Sequence, residues 1–594
     1  MQYKVINKNK DCLNNDNLLY TLLQQRGVKD PNKLMNLDSD CVYDGMLLNN
    51  MDRGLNMLYW HLTNGSKIHV IDDSDFDGYS SAASCINYIR DIGFNNDITF
   101  SIHKNKEHGI ILNRLKDYEF DLLIVPDAGS SDMEQCKELK DKDILILDHH
   151  NFNPLDWKDI DNTIIINCQD GIYPNNTLSG VGVVYKFLKE FDKKYGFNKA
   201  DNYLDLAALG MIADDMDLRN PETRYLVLNG LNKINEGNCN LFIKEIMSKN
   251  NLDKLNILDV GWKIAPLING VVRMGTLEEK TDVFKAFINT KEDREYQPRK
   301  KKGEKEKPPI ELQSLQKYMA REIKNIKGRQ DRLVKKGVEL VDNKINEEKL
   351  DANKMIIVDI TQELEKTFTG LVANKLASTY KRPVILLRQK ESDTYGGSGR
   401  NYKLSSIESL QEFLNNTKLF NWINGHDNAF GFNINKSNIN NLVQTTNNLL
   451  KDMKIEDCYW VDYEMPVGRL KPKNIIDIGK WKDVWGNTLQ EPQFAITDIY
   501  VKPEEVQLLG TKKNIIKINK TIGDKTITFI KFFANENIYN KMILKSTRGL
   551  SKKTPKKLKF NIIGKFNINE WEGKEYPQIE IIDFEVSEGR KIEF

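Results

Sequence analysis

From residue 66 onward, short runs of apolar residues alternate with stretches of helical period. KIHVI (67–71), ITFSIH (98–103), DLLIV (121–125), DILIL (143–147) and TIIIN (163–167) have the length and apolar continuity of buried strands. Between and after them, YSSAASCINYIRDIG (79–93), SDMEQCKELK (131–140) and SGVGVVYKFLKEFDKKY (179–195) carry helical spacing. Strands that are apolar on both faces and separated by helices predict a parallel sheet covered on both sides. Residues 17–60 precede this block with helical spacing and few strand signals. The stretch DREYQPRKKKGEKEKPP (293–309) is charged and Pro-flanked, so it reads as an exposed loop or linker insertion. A long helix is expected over 310–336, interrupted at Gly328. A second α/β segment follows, with strands at MIIVDI (355–360) and PVILL (383–387) around the helix GLVANKLASTY (370–380). After 456 the pattern shortens to NIIKINK, KTITFIKFF, KFNIIGKF and QIEIIDFEV between turn residues, as in an antiparallel barrel or sandwich. The expected bounds are a helical extension at 1–60, a parallel-sheet domain at 61–292 and a basic insertion with connecting helix at 293–345. A second α/β domain at 346–455 and an all-β domain at 456–594 complete the fold class, α/β with a β tail.

Composition narrows the partners without naming them. Forty per cent hydrophobic and 29% charged residues are ordinary for a chain that builds cores. The net charge of +2 gives no global basic field, so a polyanion would have to be gripped by local clusters. Seven cysteines are scattered without a CxxC pair, which points to a reducing compartment and away from zinc. MQYKVINKNKDC lacks an apolar signal core, and no run reaches the ~18 apolar residues of a membrane span. A cytoplasmic protein with no membrane partner is expected.

The chemistry concentrates in acidic clusters. VIDDSDFDGY (70–79) places Asp72, Asp73, Asp75 and Asp77 directly after an apolar strand. DLLIV runs into Pro126-Asp127-Ala128-Gly129, DILIL into Asp148-His149-His150, and LAALGMIA into Asp214-Asp215. An isolated Asp after a strand is usually a turn or a helix cap. Four clusters aimed at the crevice outside the carboxyl ends of a sheet need a common counter-charge. The motifs contain no Lys or Arg, which argues against internal ion pairs. Oxygen-rich ligands with an imidazole suit Mn²⁺ or Mg²⁺. So many carboxylates exceed the needs of one ion, and a pair of ions about 3.5–4 Å apart is the arrangement that hydrolyses phosphoesters.

Asp73-Ser-Asp75-Phe-Asp77-Gly78, Pro126-Asp127-Ala-Gly129, Asp148-His149-His150 and Ile212-Ala213-Asp214 resemble the four signature motifs of the DHH phosphoesterase superfamily. Their flanks are similar to RecJ-type single-strand-specific exonucleases, through LLQQRGV (22–28), TLSGVGVVYKF (177–187), DLAALGMIADDMDL (205–218) and KIAPLINGVVRMG (263–275). TGLVANKLASTYKRPVILL (369–387), GGSGR (396–400) and GHDNAFGF (425–432) resemble the DHHA1 substrate domain, and WGNTLQEPQF (485–494) the entry to an oligonucleotide-binding tail. The resemblance implies a metal-dependent exonuclease acting from the 5′ end of single-stranded DNA in repair, recombination or replication, bacterial or phage-encoded. It implies metal ligation by Asp73, Asp75, Asp77, Asp127, His149 and Asp214, with Asp127 bridging two ions. Catalytic roles fall to His150, Asp127 and Asp148, His150 either facing the scissile phosphate or buttressing a ligand. Substrate contacts fall to Arg273, Gly397, Ser398, Gly399, Arg400 and His426, with GGSGR expected as a phosphate-approaching loop or turn and His426 on a nearby loop. A single-strand-binding protein or a helicase is the kind of protein partner such an enzyme takes.

Beyond the first nucleotides, Phe532, Phe533 and Trp571 are candidate stacking rings, and Lys552, Lys553, Lys556, Lys557 and Lys559 candidate phosphate contacts. Core packing and a solvated lysine face are the plainer readings of the same residues. The chain departs from the family at Asn424-Gly425-His426, with one glycine before the histidine, at Lys366–Gly370, which lacks a Trp-His pair, and at Val271-Val272 before Arg273. None of these touches the metal motifs. Two other functions share some of the motifs: a DHH-DHHA1 phosphodiesterase for short oligoribonucleotides or cyclic dinucleotides, and a non-catalytic replication scaffold. The first has no need of an all-β tail, and the second has no need of intact acidic and His positions.

Overall fold

The computed structural model describes residues 1–7, 17–104, 107–157, 160–300, 306–364, 366–482, 485–486, 488–522, 525–544 and 557–589. The chain forms two compact units, one of residues 26–330 with 483–490 and one of residues 1–25, 331–482 and 491–594.

The first unit is built on five parallel strands, β1 (Ile68–Asp72), β2 (Ile98–Ile102), β3 (Leu122–Pro126), β4 (Asp143–Asp148) and β5 (Thr163–Asn167), in the order β2-β1-β3-β4-β5. All residues of β1, β3 and β5 are buried, as their unbroken apolar runs require. Helices α1 (Phe76–Asp91), α2 (Gly180–Tyr195) and α3 (Leu204–Ala213) pack in the core formed with Val70, Ile124, Leu145 and Leu147. Burying side chains of this kind contributes about 1.5–3 kcal/mol each. α1 and α3 are buried nearly all round; α3 is apolar almost throughout, while α1 relies on small residues and buried serines. The strand order reverses between β1 and β3, which opens a crevice at their carboxyl ends. Helix α4 (Ala265–Met274) belongs to the same unit.

The expected loop at 293–309 is in part a hairpin. Asp293–Tyr296 pairs antiparallel with Glu311–Ser314, and residues 301–305 lie outside the described set. Its sides are polar, so hydrophobic alternation gave no sign of it. The pairing is reinforced from outside, by Arg294 against Asp282 and Glu292 at 3.0 Å each and by the Arg321 guanidinium 3.3 Å above the Tyr296 ring. The following helix therefore starts at Leu315 and runs unbroken through Gly328 to Glu347.

In the second unit, β6 (Ile356–Asp359), β7 (Val384–Glu391), β8 (Thr394–Arg400), β9 (Phe420–His426) and β10 (Ala429–Asn435) form a sheet in the order β9-β10-β8-β7-β6. Only β6 and β7 are parallel. Helices Leu410–Asn415 and Ile439–Leu449 cover one face, where Leu410, Leu414 and Leu442 meet Ile385, Leu387, Phe430 and Phe432. Helix α5 (Thr369–Tyr380) lies over part of the other. The tail contributes seven strands, β11 (Tyr463–Pro466), β12 (Phe494–Val501), β13 (Val506–Leu509), β14 (Ile515–Ile522), β15 (Lys525–Lys531), β16 (Leu558–Trp571) and β17 (Lys574–Glu588), in the order β11-β12-β16-β17-β15-β14-β13. This sheet is mixed rather than antiparallel, because β11–β12 and β15–β17 pair in parallel. No described helix is long and apolar enough to cross a membrane.

Candidate metal centre

The carboxyl end of β1 supplies the first side chains. Asp72 is its last residue, and both carboxylate oxygens are buried without a hydrogen-bond partner. Burial, with the charges of Asp73 and Asp75, pushes its pKa well above the usual carboxylate range. Asp75 caps α1, its carboxylate accepting from the Gly78 amide at 3.0 Å, and burial with the neighbouring Asp77 raises it to about 6. Asp77, on the first turn of α1, accepts from the Ser179 hydroxyl at 2.8 Å and the Gly180 amide at 2.7 Å.

Asp127 follows β3 in left-handed backbone (φ 63°), held by its amide donating to the Leu147 carbonyl at 2.8 Å. Its Oδ1 is buried without a hydrogen-bond partner, and burial together with Asp77, Asp75, Asp73 and Asp214 pushes its pKa far up. Two glycines make room. A Cβ on Gly180 would stand 2.2 Å from Asp127 Oδ1, and one on Gly210 2.3 Å from Asp77 Oδ1. Asp214 sits just past the end of α3, a helix and not a strand, and burial with Asp77 and Asp75 lifts it to about 8. His149 Nε2 stands 3.2 Å from Asp127 Oδ1 and 3.5 Å from Asp214 Oδ2, and burial lowers its pKa to about 4, favouring the neutral, ligating form.

The expected ligands form two groups, Asp73/Asp75/Asp127 and Asp77/His149/Asp214, and a third, Asp127/Asp148/His149/His150, overlaps them; in each the ligand atoms lie within 4.8 Å of one another. The orphaned oxygen of Asp127 and the raised pKa values of Asp75, Asp127 and Asp214 show what the cluster lacks by itself, which is positive charge. Hard oxygen donors with one neutral imidazole fit Mn²⁺ or Mg²⁺. All six expected ligands thus meet in one crevice.

Asp148, expected in a catalytic role, is a buried acceptor bonded to both histidines. It is 1% exposed, and its oxygens are already used by the amides of His149 (2.7 Å), His150 (3.2 Å) and Ser130 (3.0 Å) and by His150 Nδ1 (2.8 Å). Burial alone would raise its pKa, but these bonds and the two imidazoles hold it well below the usual carboxylate range. These bonds fix the amide of His149 and both the amide and Nδ1 of His150. Donating its Nδ1–H to Asp148 raises the pKa of His150, whose half-exposed ring leaves Nε2 as its second nitrogen. Arg273, at the end of α4, is partly buried and sits in the field of Asp75, and Asn269, one turn earlier, has a buried, unpartnered Oδ1.

Sequence reading passed over two histidines at this crevice. His108 Nδ1 lies 2.8 Å from Asp73 Oδ2, and its ring meets that of His150 edge-on at 4.9 Å. The bond to Asp73 raises His108 to about 9. His103 Nε2 is 3.6 Å from Asp73 Oδ1. Both come from HKNKEHG (103–109), directly after β2, so the rule that exposed the acidic motifs applied to them as well.

The expected substrate residues other than Arg273 belong to the second unit. GGSGR is not a loop but strand β8, paired on both sides. Gly397 and Gly399 turn toward the core, where a Cβ would meet Phe432 at 2.7 Å and Phe430 at 2.3 Å, so they serve ring packing and not phosphate approach. Ser398 and Arg400 point the other way, toward the first turn of α5, where a Cβ on Gly370 would touch Arg400 at 2.6 Å. His426 ends strand β9 and is exposed, opposite Ala429. In the tail, Phe533 is 92% and Trp571 65% exposed, Lys559 is paired with Asp498 at 2.7 Å, and Lys557 sits 5.0 Å from the Tyr500 ring. Lys552, Lys553 and Lys556 lie outside the described residues.

The chain is similar to known proteins along nearly its whole length. The DHH family, N-terminal domain, matches residues 67–211, and the RecJ OB domain matches residues 461–583. A Bacillus subtilis protein described as "Putative SPbeta prophage-derived single-strand DNA-specific exonuclease YorK" is 38% identical over 593 residues, covering 99% of this chain and 98% of its own. The single-stranded-DNA-specific exonuclease RecJ of the same organism is 24% identical, covering 96% of this chain and 68% of its own. RecJ of Thermus thermophilus, solved with Mn²⁺, superposes with a TM-score of 0.60 at 17% identity over 92% of this chain and 72% of that one. At that identity the likeness is one of fold.

Proposed function

The chain belongs to the RecJ family of DHH-type single-strand DNA-specific exonucleases, and from that premise we propose that it hydrolyses single-stranded DNA from the 5′ end with two divalent ions. The observation that carries the reading is the meeting of Asp73, Asp75 and Asp127 with Asp77, His149 and Asp214 in one crevice. Bound Mn²⁺ or Mg²⁺ would supply Lewis acidity at the phosphate and a water acidic enough to attack near neutral pH. Asp127 stands within reach of both ligand groups, through its own set and through His149 at 3.2 Å. His150, its Nδ1 anchored on Asp148, presents Nε2 to hold a proton or to stabilise charge at the scissile phosphate. Arg273, in the field of Asp75, is placed to meet a phosphate beside the ligands.

Residues 61–292 serve as the catalytic domain, 346–455 as the substrate domain and 456–594 as the nucleic-acid-binding domain. The same reading makes the enzyme cytoplasmic, in a bacterium or encoded by its phage.

End-labelled single strands, duplex DNA and RNA provide the test, each incubated with Mn²⁺, with Mg²⁺ and with chelator. Single-stranded DNA shortening from its 5′ end, stopped by chelator, is the expected result. Asp127→Ala should reduce turnover to background while the protein still binds single strands. Robust digestion by that variant, or by the metal-stripped protein, would overturn the assignment.

A further inference from the structure

The second unit's sheet has a half-open face that the metal chemistry leaves unused. Residues directly opposite each other on neighbouring strands share a face. The pairings Arg388–Gly396–Asn433–Trp422, Leu386–Ser398–Gly431–Asn424 and Val384–Arg400–Ala429–His426 therefore form three rows on the face opposite the Phe430 and Phe432 core. α5 covers the end of this face near Ser398 and Arg400. Trp422, Asn424 and His426 of β9 remain exposed.

Strands β7 and β9 are both distorted in a way that serves this face. β7 has a bulge between Gln389 and Glu391, and β9 has one between Phe420 and Trp422. A bulge re-aims side chains at the cost of ladder regularity. Here it turns Asn421 onto the same face as Trp422, where its amide donates to Asn433 at 2.6 Å and Asn435 at 3.0 Å. From β7 the stem of Lys390 crosses Gly396, where a Cβ would stand 2.4 Å from it. The Lys390 ammonium ends 5.4 Å from the Trp422 ring. Beside it, Nε and Nη2 of Arg388 are buried and meet no hydrogen-bond partner among the described residues. The indole is 47% exposed. Glu391, opposite Thr394 at the hairpin end, is the acidic exception at the paired positions of this face.

An exposed indole capped by a lysine, with an unsatisfied guanidinium farther along the same cross-strand row, has the features of a stacking platform for single strands: a π-face for a base and cations for phosphates along the strand. An apolar protein partner would leave Arg388, Lys390 and four Asn side chains to be desolvated against nothing. We propose that this face is a nucleotide subsite, in which Trp422 stacks on a base while Lys390 and Arg388 hold its flanking phosphates. The inference rests on the single-strand reading above, and names a grip that the motifs Ser398, Arg400 and His426 do not include.

Binding of a fluorescent single-stranded oligonucleotide to the full chain, measured in chelator so that nothing is cleaved, tests it. Trp422→Ala should weaken binding about ten-fold, Trp422→Phe should recover most of the loss, and Lys390→Ala should weaken it several-fold. Trp60→Ala, at an indole 57% exposed in the other unit, is the control expected to bind like wild type. Circular dichroism and thermal melting establish that each variant is folded. Wild-type affinity in folded Trp422→Ala and Lys390→Ala would overturn the subsite and leave this face to a protein contact. Wild-type protein that binds no single strand at all would instead overturn the function proposed above.

Discussion

At the scale of single residues, the centre depends as much on what is missing as on what ligates. Gly180 begins α2 at the one place where its amide reaches Asp77 (2.7 Å) and its bare Cα clears Asp127. A methyl there would lie 2.4 Å from Asp127 Cβ and 2.6 Å from its Cα, which no rotamer change relieves. Gly180→Ala should therefore leave the protein folded but lower Mn²⁺ affinity by about 10–100-fold, since displaced support around a ligand has that effect. The rise in melting temperature on adding Mn²⁺ measures it, and a wild-type rise in the variant would refute the packing argument. His69 makes a separate prediction, on stability. It is fully buried in β1, within 2.8 Å of Thr99 Oγ1 and 3.0 Å of Ser101 Oγ, and burial lowers its pKa from 6.5 to about 4. Above pH 6.5 folded and unfolded forms are both neutral there, and the group has no pH effect. Between 6.5 and 4 only the unfolded chain takes up the proton, so stability falls by about 1.4 kcal/mol per pH unit, up to roughly 3 kcal/mol. Urea unfolding at pH 7 and pH 5 should show a larger drop for wild type than for His69→Gln, and equal drops would dismiss it.

At the scale of elements, legibility followed burial. β1, β3, β4 and β5 are readable because a parallel strand buried on both faces has to be apolar throughout, and β1, β3 and β4 each run into an acidic motif. The ligand set was readable for the same reason, since the carboxyl ends of such strands face one crevice. The elements that escaped are those whose partners are remote in sequence or whose sides are polar. β8 looked like a turn because its glycines are there for the rings of Phe430 and Phe432 on the next strand, a fact carried by β10 and not by GGSGR. The strand Gln2–Val5 pairs in parallel with Cys458–Val461 from the far end of the chain, and nothing local in QYKV announces it. The histidines His103 and His108 carry no acidic cluster of their own and show their place only through Asp73, although HKNKEHG follows β2 as the acidic run follows β1.

At the scale of the whole molecule, the substrate is a polyanion and the chain is nearly neutral, at +2 over 594 residues. A protein without a net positive field cannot draw DNA from a distance, so electrostatics has to act through phosphates already in contact. That separates two kinds of grip in one experiment. Each phosphate neutralised on a single strand contributes a slope of about −0.7 to the plot of log affinity against log salt. Arg400→Ala and Lys390→Ala should each flatten that slope by about 0.7 if they meet phosphates. Trp422→Ala should lower the whole line with its slope unchanged, because stacking releases no counterions. Association rates should meanwhile change little with salt, with the effect falling on dissociation. A Trp422→Ala line that crosses the wild-type line, or an Arg400→Ala line parallel to it, would show that the cationic and aromatic contributions on this face have been assigned the wrong way round.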